Sequence, residues 1–178
     1  MRLLRMKKLL LTLAACALLL TPALSMAAET DMAALKCSDV LKSKQDEKVM
    51  LVLWVDGYMS GSSDVTTING KWIEQLTGHI MQYCGKNAGK TIMDAANAMP
   101  ETSVEGGDDV MKMDCKSFLA ESQENIGLTI MWVDGYMSAK SENTKLADEW
   151  IQKLSTHLGT YCGKNPAKTL GDAIAAMK

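Results

Sequence analysis

The cysteines after residue 27, the two histidines and two aspartates within apolar runs of this 178-residue chain recur at a single interval. Four pairs of residues are each 78 positions apart: Cys37 and Cys115, Cys84 and Cys162, His79 and His157, and Asp56 and Asp134. Such groups can form disulfides, bind metals or transfer protons. Their spacing and surroundings decide which of these chemistries the chain can support.

The cysteines favour disulfides. Four follow residue 27, and an even number of cysteines in an exported small protein is typical of a disulfide framework. The simplest pairing joins Cys37 to Cys84 and Cys115 to Cys162, which closes two loops of equal length. Pairing between the two halves of the chain is the alternative.

Metal binding and catalysis find little support. His79 and Cys84 are five positions apart on one predicted helix, about 140° around it, so their side chains do not converge on a metal. No Ser-His-Asp or Cys-His signature is present, and no second carboxylate is fixed near Asp56 or Asp134. We therefore expect no enzyme activity, metal or cofactor. His79 is either a pH switch or an ordinary half-exposed helix residue.

The common interval marks an internal repeat. The word WVDGYMS occupies residues 54–60 and returns at residues 132–138, and 27 of 63 positions match from Cys37 onward without a gap. The stretch from Pro100 to Asp109 has the proline, glycines and acidic residues of an exposed linker. We predict a signal peptide at 1–27, a first domain at 28–99, a linker at 100–109 and a second domain at 110–178.

The first 27 residues have the layout of a secretory signal peptide. Four basic residues precede an apolar run that is too short for a membrane span, and small residues follow it. Cys16 lies in a sequence similar to a lipoprotein processing box, but the apolar residues after it favour ordinary cleavage over a lipid anchor. The sequence therefore predicts a periplasmic protein with no stable membrane span.

Charge argues against nucleic acid as a partner. Removal of the signal peptide leaves fifteen basic and twenty-one acidic residues, a net charge of −6. Phosphate binding needs a basic face, which this composition does not provide.

Helical patterns position these residues. In the second copy, apolar residues from Cys115 to Leu119 predict a short helix, Asn125 is a candidate cap for the next one, and apolar residues from Trp150 to Cys162 trace an amphipathic helix. Thr169 with Asp172, like Thr91 with Asp94, forms a capping box that opens a last helix. We predict an all-α fold of two tandem domains, each with about four helices and one disulfide.

The repeated word carries the candidate site. Tryptophans and tyrosines in and near it are expected either to pack in the core or between the units, or to form a groove that binds a ligand or client protein; these are Trp54, Tyr58, Trp72, Trp132, Tyr136 and Trp150. Asp56 and Asp134 lie inside the apolar runs, where burial would perturb their pKa values. They are our candidate acid triggers, unless they face solvent.

These features together resemble the HdeA/HdeB family of periplasmic acid-stress chaperones. The resemblance rests on Cys115, Phe118, Leu119, Trp132, Gly135, Tyr136, Tyr161, Cys162, Lys164, Asn165, Pro166, Thr169, Leu170, Asp172, Ala173 and Ile174. The first copy departs from it at Val40 and Ala88, which replace the phenylalanine and the proline. The tandem layout is a further departure, since described members carry one such domain per chain.

The resemblance implies a holdase that binds acid-unfolded periplasmic proteins without ATP. It also implies a dimer at neutral pH, so the two units are expected to form a pseudo-dimer within the chain or a homodimer between chains. A toxin-immunity protein that binds one partner, and a structural envelope protein, are the alternative functions.

Overall fold

The computed structural model describes residues 29–100 and 106–177. The predicted signal peptide and Cys16 lie outside these residues. Within them the fold is all-α with eight α-helices, as the sequence predicted. Four two-residue strands, which the sequence did not predict, are also present there. No helix in this part of the chain is long and apolar enough to cross a membrane.

Each unit has the same order of elements. The first contains β1 (Thr30–Asp31), a 3₁₀ turn (Met32–Ala34), α1 (Cys37–Lys42), α2 (Gln45–Ser63), β2 (Thr67–Ile68), α3 (Gly70–Lys86) and α4 (Ile92–Asn97). The second contains β3 (Asp108–Asp109), a 3₁₀ turn (Val110–Lys112), α5 (Cys115–Ala120), α6 (Gln123–Ser141), β4 (Lys145–Leu146), α7 (Asp148–Lys164) and α8 (Leu170–Ala175).

Side-chain caps fix where several helices begin. The predicted capping boxes are present: the Thr91 hydroxyl accepts from the Asp94 backbone N–H, and the Thr169 hydroxyl accepts from that of Asp172. The prediction that Asn125 caps α6 was wrong. Ser122 is the cap, and its hydroxyl accepts from the Asn125 backbone N–H one turn inside the helix.

The two disulfides lie within the units, which confirms the predicted pairing. Cys37 bonds to Cys84 and Cys115 bonds to Cys162, and all four residues are fully buried. Each bond ties the short first helix of a unit to the C-terminal end of its long amphipathic helix. A unit of this size has a small core, and a disulfide is a common means of stabilising it.

The long helices α2 and α6 pack on each other along the centre of the molecule. A Cβ at Gly57 would lie 2.0 Å from the Trp132 carbonyl oxygen, and one at Gly135 would lie 2.1 Å from that of Trp54. Only glycine allows backbones to approach this closely. Both helices carry apolar residues on more than one side because each one packs in its own unit and on the facing helix.

The N-terminal segments of the two units cross over to the opposite unit. β1 pairs antiparallel with β4, and β3 pairs antiparallel with β2. The Met32 N–H donates to the Thr144 carbonyl and the Val110 N–H to the Thr66 carbonyl, each over 2.9 Å. We call residues 29–34 the first arm and residues 106–112 the second arm.

Candidate functional site

Two buried carboxylate–indole clusters lie between the units. In the first, Asp56 accepts hydrogen bonds from the Trp72 indole N–H at 2.6 Å and from the Trp132 indole N–H at 2.7 Å. Trp72 belongs to the same unit as Asp56, whereas Trp132 belongs to the other. Each carboxylate oxygen takes one indole, so one aspartate connects three helices: α2, α3 and α6.

The second cluster repeats the first with the units exchanged. Asp134 accepts from the Trp54 indole at 2.6 Å and from the Trp150 indole at 2.6 Å. Trp54 crosses from the first unit, and Trp150 lies in the same unit as Asp134. The four tryptophans and the two aspartates therefore form a reciprocal pair of connections across the molecule.

Burial dominates the electrostatics of both clusters. Asp56 is 2% exposed and Asp134 is 1% exposed. Burial raises the pKa of both carboxyls, and the indole hydrogen bonds oppose that rise because they stabilise the ionised form. Among the described residues, the groups that act on the two pKa values are these indoles alone, with no cation beside either carboxylate.

Tyrosines extend each cluster toward the surface. Tyr58 stacks on Trp54 with ring centroids 5.4 Å apart, and Tyr136 stacks on Trp132 with centroids 5.6 Å apart. Trp54 and Trp132 are fully buried, whereas the two tyrosines are half-buried. The aromatic residues of the repeated word thus run from the interior to the surface, and that spacing follows from their four-residue separation on one helical face.

A cleft opens beside each cluster. The first, of about 510 Å³, is lined by Tyr58, Met59, Val65, Trp72, Met93 and Gly106 among others. The second, of about 410 Å³, is lined by Glu29, Met137, Asn143, Lys145, Ala147 and Trp150 among others. Met59 and Met137 are equivalent in the repeat, as are Trp72 and Trp150, so the clefts are two versions of one feature.

The arms contribute to the walls of these clefts. Gly106 of the second arm lines the first cleft, and Glu29 of the first arm lines the second. Glu29 also forms an ion pair with Lys145 at 2.8 Å, which links the arm to β4. Each cleft is thus built from one unit and bordered by the arm of the other.

Acidic side chains hold the arms in place. Asp31 accepts from the Thr144 hydroxyl at 2.7 Å and from the Ala33 backbone N–H at 3.0 Å. The hydrogen bond from Thr144 is the main cause of a lowered pKa at Asp31, with help from the Ala33 N–H. Asp109 occupies the equivalent position, and its pKa is lowered first by Lys112, at 2.8 Å, and then by the Thr66 hydroxyl.

The histidines join helices within each unit. The His79 Nε2 lies 3.0 Å from the Ala95 carbonyl, and the His157 Nε2 lies 2.7 Å from the Ala173 carbonyl. A carbonyl oxygen only accepts, so each ring donates its Nε2–H, and these bonds join α3 to α4 and α7 to α8. No group of three or more metal-binding side chains occurs in the described part of the chain.

The structure brings together all eight residues that the sequence singled out as packing surface or acid trigger. What the sequence did not predict is the exchange of arms and the crossing of the indole bonds between units. An aspartate two residues after a buried tryptophan in an apolar run is a sign of a buried hydrogen-bonded carboxyl. It does not say which tryptophan supplies the donor.

Comparison with known proteins places the chain in one family. The family model described as "HdeA/HdeB family" matches residues 9–94 and again residues 91–172. The chain therefore belongs to the HdeA/HdeB family, as a tandem duplication, which confirms the resemblance seen in the sequence. No curated protein and no solved structure gives a significant match.

Proposed function

We propose that this protein is a periplasmic holdase that binds acid-unfolded proteins without ATP. Family membership supports a chaperone of acid stress. The observation that carries the proposal is the store of aromatic and methionine surface at the contact between the units. At neutral pH the two arms border this surface, and carboxylates hold the arms in place through hydrogen bonds and ion pairs.

Acid changes the charge of the whole molecule. The mature chain carries −6 near neutrality, and protonation of its carboxylates and histidines would bring it to about +18. Self-repulsion of that size opposes a compact state. The disulfides persist in acid, so each unit stays looped while the contacts of the arms with the opposite unit weaken.

The two units take the place of two subunits. The helices α2 and α6 pack closely on each other, so each unit finds its packing partner within the same chain. We propose that the chain acts as a single-chain pseudo-dimer at neutral pH. Its activation then requires opening without separation, because the linker still joins the units.

Methionine-rich surface suits a protein with many clients. Methionine side chains are flexible and polarisable, so they adapt to varied partners. Met59 and Met137 line the two clefts, and Met93 joins the first. A surface of this kind fits several unfolded sequences better than one folded partner.

Light scattering tests the proposal. An acid-labile periplasmic protein is taken to about pH 3 with and without the purified mature protein, alongside the same mixture at pH 7. We expect suppressed aggregation in acid alone, with more than one client. Tight binding of one folded partner at pH 7, with no suppression in acid, would instead support an immunity protein.

A further inference from the structure

We propose that acid displaces the two arms, and that unfolded clients bind as extended apolar segments to the strand edges and clefts that the arms leave. The face between α2 and α6 stays closed at this stage. This inference rests on the proposed holdase function, since it names the surface and the segment of client that the holdase would use.

The arms themselves indicate what fits at these positions. Each arm contains a two-residue extended strand that pairs antiparallel with a strand of the other unit, and the arm then ends in a 3₁₀ turn. Just after the strand, the Met32 N–H bonds to Thr144 and the Val110 N–H bonds to Thr66. A released strand edge offers the same backbone groups to another extended chain, which is the chemistry of strand addition.

The arms also bury an apolar side chain. Met32 is fully buried against the first core, and Val110 is 3% exposed against the second. A client segment that replaces an arm therefore needs one bulky apolar residue beside its extended backbone. Unfolded proteins present many such segments, and none of these contacts depends on a particular sequence.

Acid weakens the bonds that the carboxylates of the arms accept, and this favours release of the arms. Asp31 faces Thr144 and Lys145 of the other unit, and Lys145 also pairs with Glu29. Asp109 faces Lys112 of its own arm and Thr66 of the other unit, and the bond from Thr66 is the one that joins the arm to that unit. Both aspartates have a pKa below the ordinary value of 3.8. Their contribution to stability is present above that value and is lost as the pH falls through the folded-state pKa.

Acid has the opposite effect on the two carboxylate–indole clusters, which it stabilises. Asp56 faces Trp72 and Trp132, and Asp134 faces Trp54 and Trp150, with no charged side chain acting on either carboxyl among the described residues. Both carboxyls have a raised pKa, so protonation favours the folded state. Acid therefore weakens the arms while it relieves the burial of charge between α2 and α6.

The two clefts differ in charge, and this difference should determine which cleft a client occupies first. Lys145 lines the second cleft, where it pairs with Glu29 of the first arm, so displacement of that arm leaves the lysine without this partner. The first cleft has Thr67 at the equivalent position and contains no lysine or arginine among its described lining residues. Acid-unfolded clients are cationic, so the first cleft should accept them more readily.

Disulfide locks test the proposal on the full mature chain. Thr30 lies opposite Leu146, and Asp108 lies opposite Ile68, at the equivalent positions of the two arms. Opposed residues of an antiparallel pair have a separation that a disulfide can bridge. One variant carries Thr30→Cys, Leu146→Cys, Ile68→Cys and Asp108→Cys, with its new bonds confirmed by mass mapping, and its control carries serine at the same four positions.

We expect the locked variant to lose client protection at about pH 3 while the serine control keeps it. Protection by both the wild type and the locked variant would overturn the inference and leave the holdase function standing.

Locking one arm at a time distinguishes the clefts, and a larger loss of client protection is expected from Ile68→Cys with Asp108→Cys. An equal or smaller loss would overturn the order of use.

Hydrogen exchange in the wild type gives a measurement without a client. We expect the backbone N–H groups of Met32 and Val110 to lose protection in acid before the indole N–H groups of Trp54 and Trp132. Exchange of the indoles first, or all together, would overturn the inference. If the wild type protects no client, the proposed function and the client site fall together, while this experiment still decides whether acid frees the arms.

Discussion

The indole of Trp54 in the first unit donates a hydrogen bond to the carboxylate of Asp134 in the second, over 2.6 Å and out of contact with solvent. Trp132 returns the same bond to Asp56 at 2.7 Å. A buried carboxylate costs free energy unless donors compensate it, and here half of the donors come from the opposite unit. Each unit is therefore incompletely satisfied without the other.

A double-mutant cycle measures this dependence. Trp54→Phe removes the donor and Asp134→Asn removes the charge, and we expect a coupling of about 1–3 kcal/mol in the free energy of unfolding. Denaturant unfolding at pH 7 supplies the four values. The control cycle combines Trp54→Phe with Asp46→Asn, since Asp46 is exposed in the first turn of α2. A coupling no larger than that of the control would contradict the role of the bond.

The glycine contacts predict a second result. Gly57→Ala and Gly135→Ala each place a methyl group 2.0 or 2.1 Å from a carbonyl oxygen on the facing helix, so α2 and α6 must separate. We expect a loss of at least about 2 kcal/mol in stability for each, since backbone cannot yield as a side chain does. Gly78→Ala is the matched control, because nothing lies within 4 Å of its Cβ. It should stabilise α3 by about 0.5–1 kcal/mol.

Much of the fold could be predicted from the sequence because the repeat limits the possible disulfide pairings and helix boundaries. One early and one late cysteine per unit leave few pairings, and the capping boxes at Thr91 and Thr169 fix two helix starts. Asn125 misled the prediction because several polar residues precede the apolar run of α6, and the cap depends on backbone geometry. Ser122, three residues earlier, adopts the extended conformation that a cap requires.

The exchange of arms could not be predicted for a different reason. Thr30 and Asp31 form a strand of only two residues, too short to leave an alternating pattern. Its partner, Lys145–Leu146, lies in a polar loop of the other unit, and contacts between distant segments have no local signal. The role of Asp56 and Asp134 as acid triggers stays a prediction. The structure adds that burial raises the pKa of both carboxyls.

Removal of a disulfide should cost more stability than any single bond at the site. Each bond closes a loop with a sequence separation of 47 residues. Cys37→Ser with Cys84→Ser is expected to lose about 4 kcal/mol, because the unfolded state regains the entropy of that loop. Thermal unfolding by circular dichroism provides the measurement. The equivalent pair, Cys115→Ser with Cys162→Ser, should lose a similar amount, and a much smaller loss in both would contradict this estimate.

Neutral side chains at the arms should mimic acid. Asp31→Asn and Asp109→Asn keep the size of the side chain and remove the charge that strengthens the bonds from Thr144 and Thr66. We expect the onset of client protection to move to higher pH in the double variant, measured by light scattering across a pH series. Asp46→Asn should leave the onset unchanged. An onset that stays in place, or moves to lower pH, would contradict the role of the arms.

The pH dependence of stability should carry an opposite contribution from the central clusters. The folded-state pKa of Asp56 and Asp134 lies above the ordinary value of 3.8, so in the interval between the two values the folded state binds more protons than the unfolded state. Their contribution to the free energy of unfolding therefore rises as the pH falls through the folded-state pKa, and it is constant below 3.8.

Denaturant unfolding at successive pH values from 7 to 4 measures the sum of the contributions of all titrating groups. The variant with Asp56→Asn and Asp134→Asn lacks this term, so its stability should fall more steeply with acid than that of the wild type. Parallel profiles for the two proteins would show that these carboxyls do not titrate between the folded and unfolded states in the direction that their burial requires.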